Sequence, residues 1–112
     1  MKFTKGIKHK YNAKPTVVDG FRFDSKKEAM HYKRNLILIQ SGIMLMQVRQ
    51  VPFHLPGGVI YRLDFMEVYK DGEVRWIDVK GMDTPQSKQK RKQVVEWRVN
   101  GIQVYPIEIT LI

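Results

Sequence analysis

The chain has 112 residues, no cysteine and a formal net charge of +9. That length suits one domain with one modest core, and 43% hydrophobic residues is ordinary for a folded globular protein. The composition excludes disulfides and thiolate metal sites, which agrees with a cytoplasmic protein; no apolar run is long enough to span a membrane, and the excess of lysine and arginine favours a polyanionic partner.

The N-terminal stretch lacks the apolar segment of a signal peptide. Residues 1–14 carry Lys2, Lys5, Lys8, His9, Lys10 and Lys14, and read as a basic flexible arm ahead of a single domain at 15–112. Lys10 and Lys14 are candidate phosphate contacts. Thr16 to Phe23 reads as a short hairpin turning at Asp19-Gly20. Ser25-Lys26-Lys27-Glu28 is a capping-box pattern and opens a helix through about Gln40, with Gly42 suited to its C-terminus. Ala29, Tyr32, Leu36 and Ile39 recur at helical spacing and are expected in the core.

Ile43 to Leu55 is expected to be extended, with Val48, Val51 and Phe53 as core contacts. Pro52 predicts an edge strand or a bend there. Arg49 and Gln50 are candidates to touch substrate. His54 has no ligand-spaced partner and reads as structural or exposed. Pro56-Gly57-Gly58 turns the chain into Tyr61 to Gly81, two runs of β-formers around Lys70-Asp71-Gly72. A three-residue loop pairs Tyr69 with Glu73, and the pairs Val68–Val74, Glu67–Arg75, Met66–Trp76, Phe65–Ile77 and Asp64–Asp78 follow. Leu63–Val79 and Phe65–Ile77 should share the reverse face, so both faces of the sheet near this end are expected to be covered. Thr84 caps a second helix with Pro85 in its first turn, running to about Val99, where Asn100-Gly101 stops it. Ile102 to Ile109 reads as a closing strand, with Pro106 marking an edge or bulge.

The hairpin register carries the chemistry. Residues two apart on a strand share a face, so Asp64, Asp78 and Lys80 project together from the end far from the turn. Opposed carboxylates repel unless a cation lies between them, and a hard ion such as Mg²⁺ takes one or two carboxylates plus water and phosphate. Lys80 beside the pair suits a phosphate oxygen or a water. Lys88, Lys90, Arg91 and Lys92 sit in the first half of the second helix, close to the acids, and are candidate DNA contacts. No zinc spacing, serine-nucleophile motif, P-loop or dinucleotide fingerprint is present.

Asp64, thirteen intervening residues, then Asp78-Val79-Lys80 resembles the signature of the PD-(D/E)XK nuclease superfamily, with Leu63 where a proline is usual. The resemblance runs from about Tyr11 to Ile107. Within it, Val18-Asp19-Gly20 and Phe23-Asp24-Ser25-Lys26-Lys27-Glu28-Ala29 are similar to small phage-encoded nucleases related to junction-resolving endonucleases. The resemblance implies an α/β fold with a restriction-endonuclease-like core: a central mixed β-sheet flanked by two main helices. It implies Mg²⁺-dependent hydrolysis of DNA phosphodiesters, with Mn²⁺ as a substitute. Asp64, Asp78 and the Val79 carbonyl would hold the ion, and Lys80 would orient or help deprotonate the attacking water. It also makes Glu28 the third acid of the metal shell, beside its reading as a helix cap, with Asp24 as the weaker candidate. Branched DNA, Holliday junctions above all, is the expected substrate, and two symmetric cuts would require a homodimer. The alternatives are a nicking or trimming nuclease and a basic nucleic-acid-binding module without catalysis.

Overall fold

The structure is a computed structural model that describes residues 15–81 and 83–112. Lys10, Lys14 and the rest of the basic arm lie outside the described residues. The fold is α/β: a mixed four-stranded sheet with two helices.

β1 (Thr16–Val18) and β2 (Phe21–Phe23) pair antiparallel, as expected around Asp19-Gly20. Helix α1 runs over Lys26–Gln40. Ser25 stays extended and its Oγ accepts the Glu28 N–H at 3.1 Å, satisfying one of the free donors of the first turn. Gly42, at φ 78°, ends the helix. It lets the Gly42 and Ile43 amides return to the Ile39 and Leu38 carbonyls, both at 3.0 Å.

β3 (Met44–Leu55), β4 (Val59–Tyr69) and β5 (Val74–Asp78) form an antiparallel meander. The β4–β5 register is the expected one from Val68–Val74 to Phe65–Ile77. The Tyr69 amide donates to the Glu73 carbonyl at 2.8 Å, and Gly72 takes φ 94°, a conformation open to glycine at little cost. β3 is an edge strand, so the missing N–H of Pro52 breaks no ladder bond. The outer edge at His54 is covered instead by Tyr105, whose hydroxyl accepts the His54 N–H at 3.2 Å and donates to its carbonyl at 3.0 Å.

Helix α2 covers Pro85–Glu96, with Thr84 as its cap, and stops short of the expected Val99. Trp97 is already extended, and β6 (Arg98–Val99) pairs with β7 (Ile102–Gln103) around Asn100-Gly101. Asn-Gly is the strongest two-residue hairpin signal, and here it makes a hairpin rather than a helix stop. The Gln103 amide then donates to the Val95 carbonyl at 2.7 Å, satisfying a helix-end acceptor. The single strand expected over 102–109 is likewise corrected. After β7 the chain is irregular to Glu108, and only β8 (Ile109–Leu111) joins the sheet, parallel to β5.

Two cores lie on opposite faces of the sheet. Phe23, Ala29, Tyr32, Phe65, Ile77 and Val79 pack under α1. Phe53, Leu55, Tyr61 and Leu63 pack with Val94 of α2, bordered by Trp76 and Tyr105. Strict alternation places Leu63 on the face of Phe65, but it lies in the other core. The alternation breaks at the row between them, where Gln50 of β3 takes φ 53° beside Asp64 and the extended run turns. Val48, expected in the core, is only half-buried and borders a groove beside α1.

Candidate active site

The broken row is where the acids gather. Asp64 lies one residue beyond Phe65–Ile77, where the β4–β5 ladder ends, and its Oδ2 accepts the Val79 N–H at 2.8 Å, replacing the strand bond that would come next. Burial, the Glu28 charge and the Asp78 charge and hydrogen bond push the Asp64 carboxyl up to about 8, against the lowering effect of the Val79 amide. Asp64 and Asp78 are therefore neighbours, as the hairpin register requires. Val79 enters the site through its amide, while its side chain is buried under α1.

Asp78 is 2% exposed and held on three sides. Lys80 Nζ lies 3.2 Å from its Oδ1, and Arg91 Nη1 of α2 lies 3.7 Å from its Oδ2. The Tyr61 hydroxyl donates to Oδ2 as well. Burial first, and then that bond, raises the Tyr61 phenol well above its ordinary value. Lys80 also reaches Ser87 Oγ at 3.5 Å, and its own backbone amide donates to the Ile112 carbonyl. The chain that leaves β8 thus fixes the backbone that carries Lys80.

Glu28 is 4% exposed, and its two carboxyl oxygens have different partners. Its Oε1 accepts the Asp24 amide at 3.3 Å, one residue earlier than a regular capping box would place that bond. Its Oε2 points into the site and accepts from Gln50 Nε2 at 3.3 Å. Gln50 Nε2 also lies 3.4 Å from Asp64 Oδ1. Asp24 itself is exposed and meets Glu28 through its backbone. Arg49, expected near substrate, turns away instead. Its guanidinium stacks 4.2 Å from the Phe23 ring and 4.9 Å from Phe21, and bonds the Arg22 carbonyl.

On α2, Lys88, Lys90 and Lys92 are all exposed. Lys88, Arg91 and Lys92 border a groove with Val95, Ile107 and Ile109. Arg91 differs from its neighbours in being committed to two acids: it forks onto Asp83 at 3.1 and 2.7 Å and faces Asp78. That pair holds Asp83 below the usual carboxylate range.

Tyr61, Gln50 and Arg91 complete the surroundings of the acids. The hairpin alone does not disclose Tyr61 or Arg91 as partners of Asp78, because both reach it through the tertiary fold. A second buried polar group carries no signal in the sequence pattern. Glu67 is 1% exposed and bonds His31 at 2.6 Å, Asn35 at 2.8 Å and Tyr69 at 2.8 Å. Burial alone would raise its carboxyl, but those three bonds outweigh it and the net shift is downward. Glu28, His31 and Asn35 lie along one face of α1, so this network pins the helix that presents Glu28.

Asp64, Asp78 and Glu28 offer only oxygen donors, which fits a hard divalent cation rather than zinc or copper. Among the described residues, no group of three or more His, Cys, Asp or Glu side chains is drawn together closely enough to hold a metal ion. The Gln50 amide stands between two of the acids. No helix among the described residues is long and apolar enough to cross a membrane.

Comparison with curated proteins and with solved structures gave no match. The family described as "Protein of unknown function (DUF1064)" matches residues 8–105, which take in both helices, the first three strands of the sheet and every residue of the acidic site. The chain belongs to the DUF1064 family.

Proposed function

We propose that this chain is a metal-dependent endodeoxyribonuclease of the PD-(D/E)XK type, acting on branched DNA as a homodimer. The observation that carries the reading is the grouping of Asp64 with Asp78 and Glu28 beside Lys80, on a hairpin flanked by a basic helix. Asp64, Asp78 and Glu28 would hold Mg²⁺ or Mn²⁺, with the Val79 carbonyl as a further oxygen. When bound, the ion supplies Lewis acidity and lowers the pKa of water.

The chain's own groups supply the rest. Lys80 offers N–H donors to a non-bridging phosphate oxygen or to the attacking water. Tyr61 and Arg91 keep Asp78 in one orientation, which limits the rearrangement needed when phosphate arrives. Lys88 and Lys92 hold the DNA backbone without reading bases, which suits recognition by shape. Hydrolysis adds water across one P–O bond, leaving a phosphate monoester and a free hydroxyl. The described residues of a chain form one such site, so two symmetric cuts call for two chains.

One observation favours a second reading. Asp78 is already paired with Tyr61, Lys80 and Arg91, as a structural acid inside a basic DNA-binding module would be. Linear, nicked, flap and four-way DNA, each with Mg²⁺, Mn²⁺ or EDTA, separate the two. The nuclease reading expects metal-dependent cleavage, strongest on branched DNA, and an Asp78→Asn protein that binds without cutting. Tight DNA binding by wild type with no cleavage under any metal would favour the binding module.

A further inference from the structure

Gln50 is out of place as an ordinary strand residue. It lies within β3, yet its φ is 53°, in a region that non-glycine side chains rarely occupy. The turn this makes sends its side chain inward, where Nε2 lies 3.3 Å from Glu28 Oε2 and 3.4 Å from Asp64 Oδ1. Both neighbours are carboxyl groups of the acidic site, and the oxygens they present to Gln50, Glu28 Oε2 and Asp64 Oδ1, are placed as acceptors. The amide therefore turns its NH₂ toward them.

We propose that Gln50 is an internal stand-in for the cation. In the metal-free protein, its partly positive NH₂ group bridges Glu28 and Asp64, keeps the two acids apart and holds the cleft in shape. Loading the site requires this amide to withdraw, so the side chain competes with the ion for the same two oxygens. The idea rests on the nuclease reading only in assuming that Glu28 and Asp64 bind a cation. Gln50 is a positioning residue in this scheme, since it touches the ligands and not the substrate.

The competition has a defined sign. Removing the amide raises the free energy of the metal-free state and leaves the loaded state untouched, so binding tightens. The Gln50→Gly variant removes the side chain and welcomes the positive φ, so its backbone is relieved rather than strained. Gln50→Asn also tolerates that backbone conformation, but its amide is one methylene too short to bridge both acids.

The test is calorimetric titration with Mn²⁺, together with thermal midpoints in EDTA and in saturating Mn²⁺. Both variants should bind Mn²⁺ about three- to tenfold more tightly than wild type, the range expected for losing one ordinary hydrogen bond, which suits contacts as long as 3.3 and 3.4 Å. Their metal-induced rise in midpoint should exceed that of wild type. Wild-type binding with an unchanged Mn²⁺ affinity in both variants would overturn the stand-in role and leave the metal site intact. Weaker binding in both would also overturn it, by making Gln50 a ligand. A wild-type protein that binds no Mn²⁺ would overturn the metal-site reading and this proposal together.

Discussion

The Val79 amide donates to the Asp64 carboxylate at 2.8 Å, one step beyond the last ladder pair of β4 and β5. The strand pairing and the acidic site therefore share a boundary. A backbone donor that would otherwise continue the sheet is used to steady an acid that burial and two neighbouring carboxylates make unfavourable to ionise.

That penalty gives a pH dependence. The Asp64 carboxyl is raised from 3.8 to about 8, so the folded protein holds a proton that the unfolded chain has released. The contribution is fully present below the unfolded value and is lost as pH rises through the folded one. Metal-free protein should therefore lose stability between about pH 4 and 8, and Asp64→Asn should flatten that slope. Denaturant melts across this range in EDTA measure it. An identical slope in the variant would remove Asp64 as its cause.

Glu67 acts in the opposite sense. Its carboxyl is lowered from 4.5, so its stabilisation is present above that value and disappears as pH falls through the folded one. Truncation leaves His31, Asn35 and Tyr69 without their shared acceptor. Glu67→Ala should cost about 3 kcal/mol or more, since each buried polar partner left unsatisfied costs roughly 1–3 kcal/mol. It should also lower cleavage by loosening α1 under Glu28. Urea unfolding at neutral pH tests the first part; a destabilisation below about 1 kcal/mol, the level of an exposed pair, would contradict it.

Glu28→Gln separates the two jobs of that side chain. Glutamine keeps an oxygen for the Asp24 amide, so the helix start survives and the midpoint in EDTA changes little. It removes the negative charge, so cleavage should fall by about tenfold or more, or demand more Mg²⁺. Ser25→Ala provides the contrast, with a destabilisation of about 1 kcal/mol from the cap alone. A Gln variant with normal rate and Mg²⁺ dependence would confine Glu28 to capping.

The lysines of α2 predict a salt effect. Lys88→Ala with Lys92→Ala should weaken binding to all DNA sequences alike and lower the log–log salt slope by roughly 0.7–0.9 for each phosphate no longer neutralised. Arg91→Ala should behave differently, because its guanidinium is committed to Asp83 and Asp78. It should lower cleavage more than binding. Filter-binding titrations from low to high salt distinguish the two, and equal effects would merge Arg91 with its neighbours.

Assembly is checked by sedimentation at micromolar concentration, with and without four-way DNA. A dimer is expected. A strict monomer in both conditions would count against junction resolution, though not against hydrolysis.

The elements legible in the sequence are those written in local signals. Ser25, Gly42 and the Lys70-Asp71-Gly72 loop each act on neighbouring backbone, and α1 and the β4–β5 register follow from them. The grouping of Asp64 with Asp78 comes from the same register. Asn100-Gly101 is equally local, but the helical pattern before it makes a helix stop look the better reading than a hairpin. Leu63 cannot be assigned to its core by period-two counting, since it and Phe65, two residues apart on β4, fall in different cores on either side of the row where Gln50 of the neighbouring strand leaves the extended region. Tyr61 and Arg91 require the packing of α2 against the sheet, a long-range fact that no window of sequence contains.

The parallel pairing of β8 with β5 sets an order of assembly. Asp64 and Asp78 meet through a tight hairpin, a contact with little loop-closure entropy, whereas Trp76 meets Ile109 only after α2 and β6–β7 have been laid down. The acidic pair can therefore form early, while the clasp between Lys80 and Ile112 closes late. Substitutions in the β4–β5 turn should then slow folding, and substitutions in β8 should chiefly speed unfolding, a division that stopped-flow chevrons would resolve.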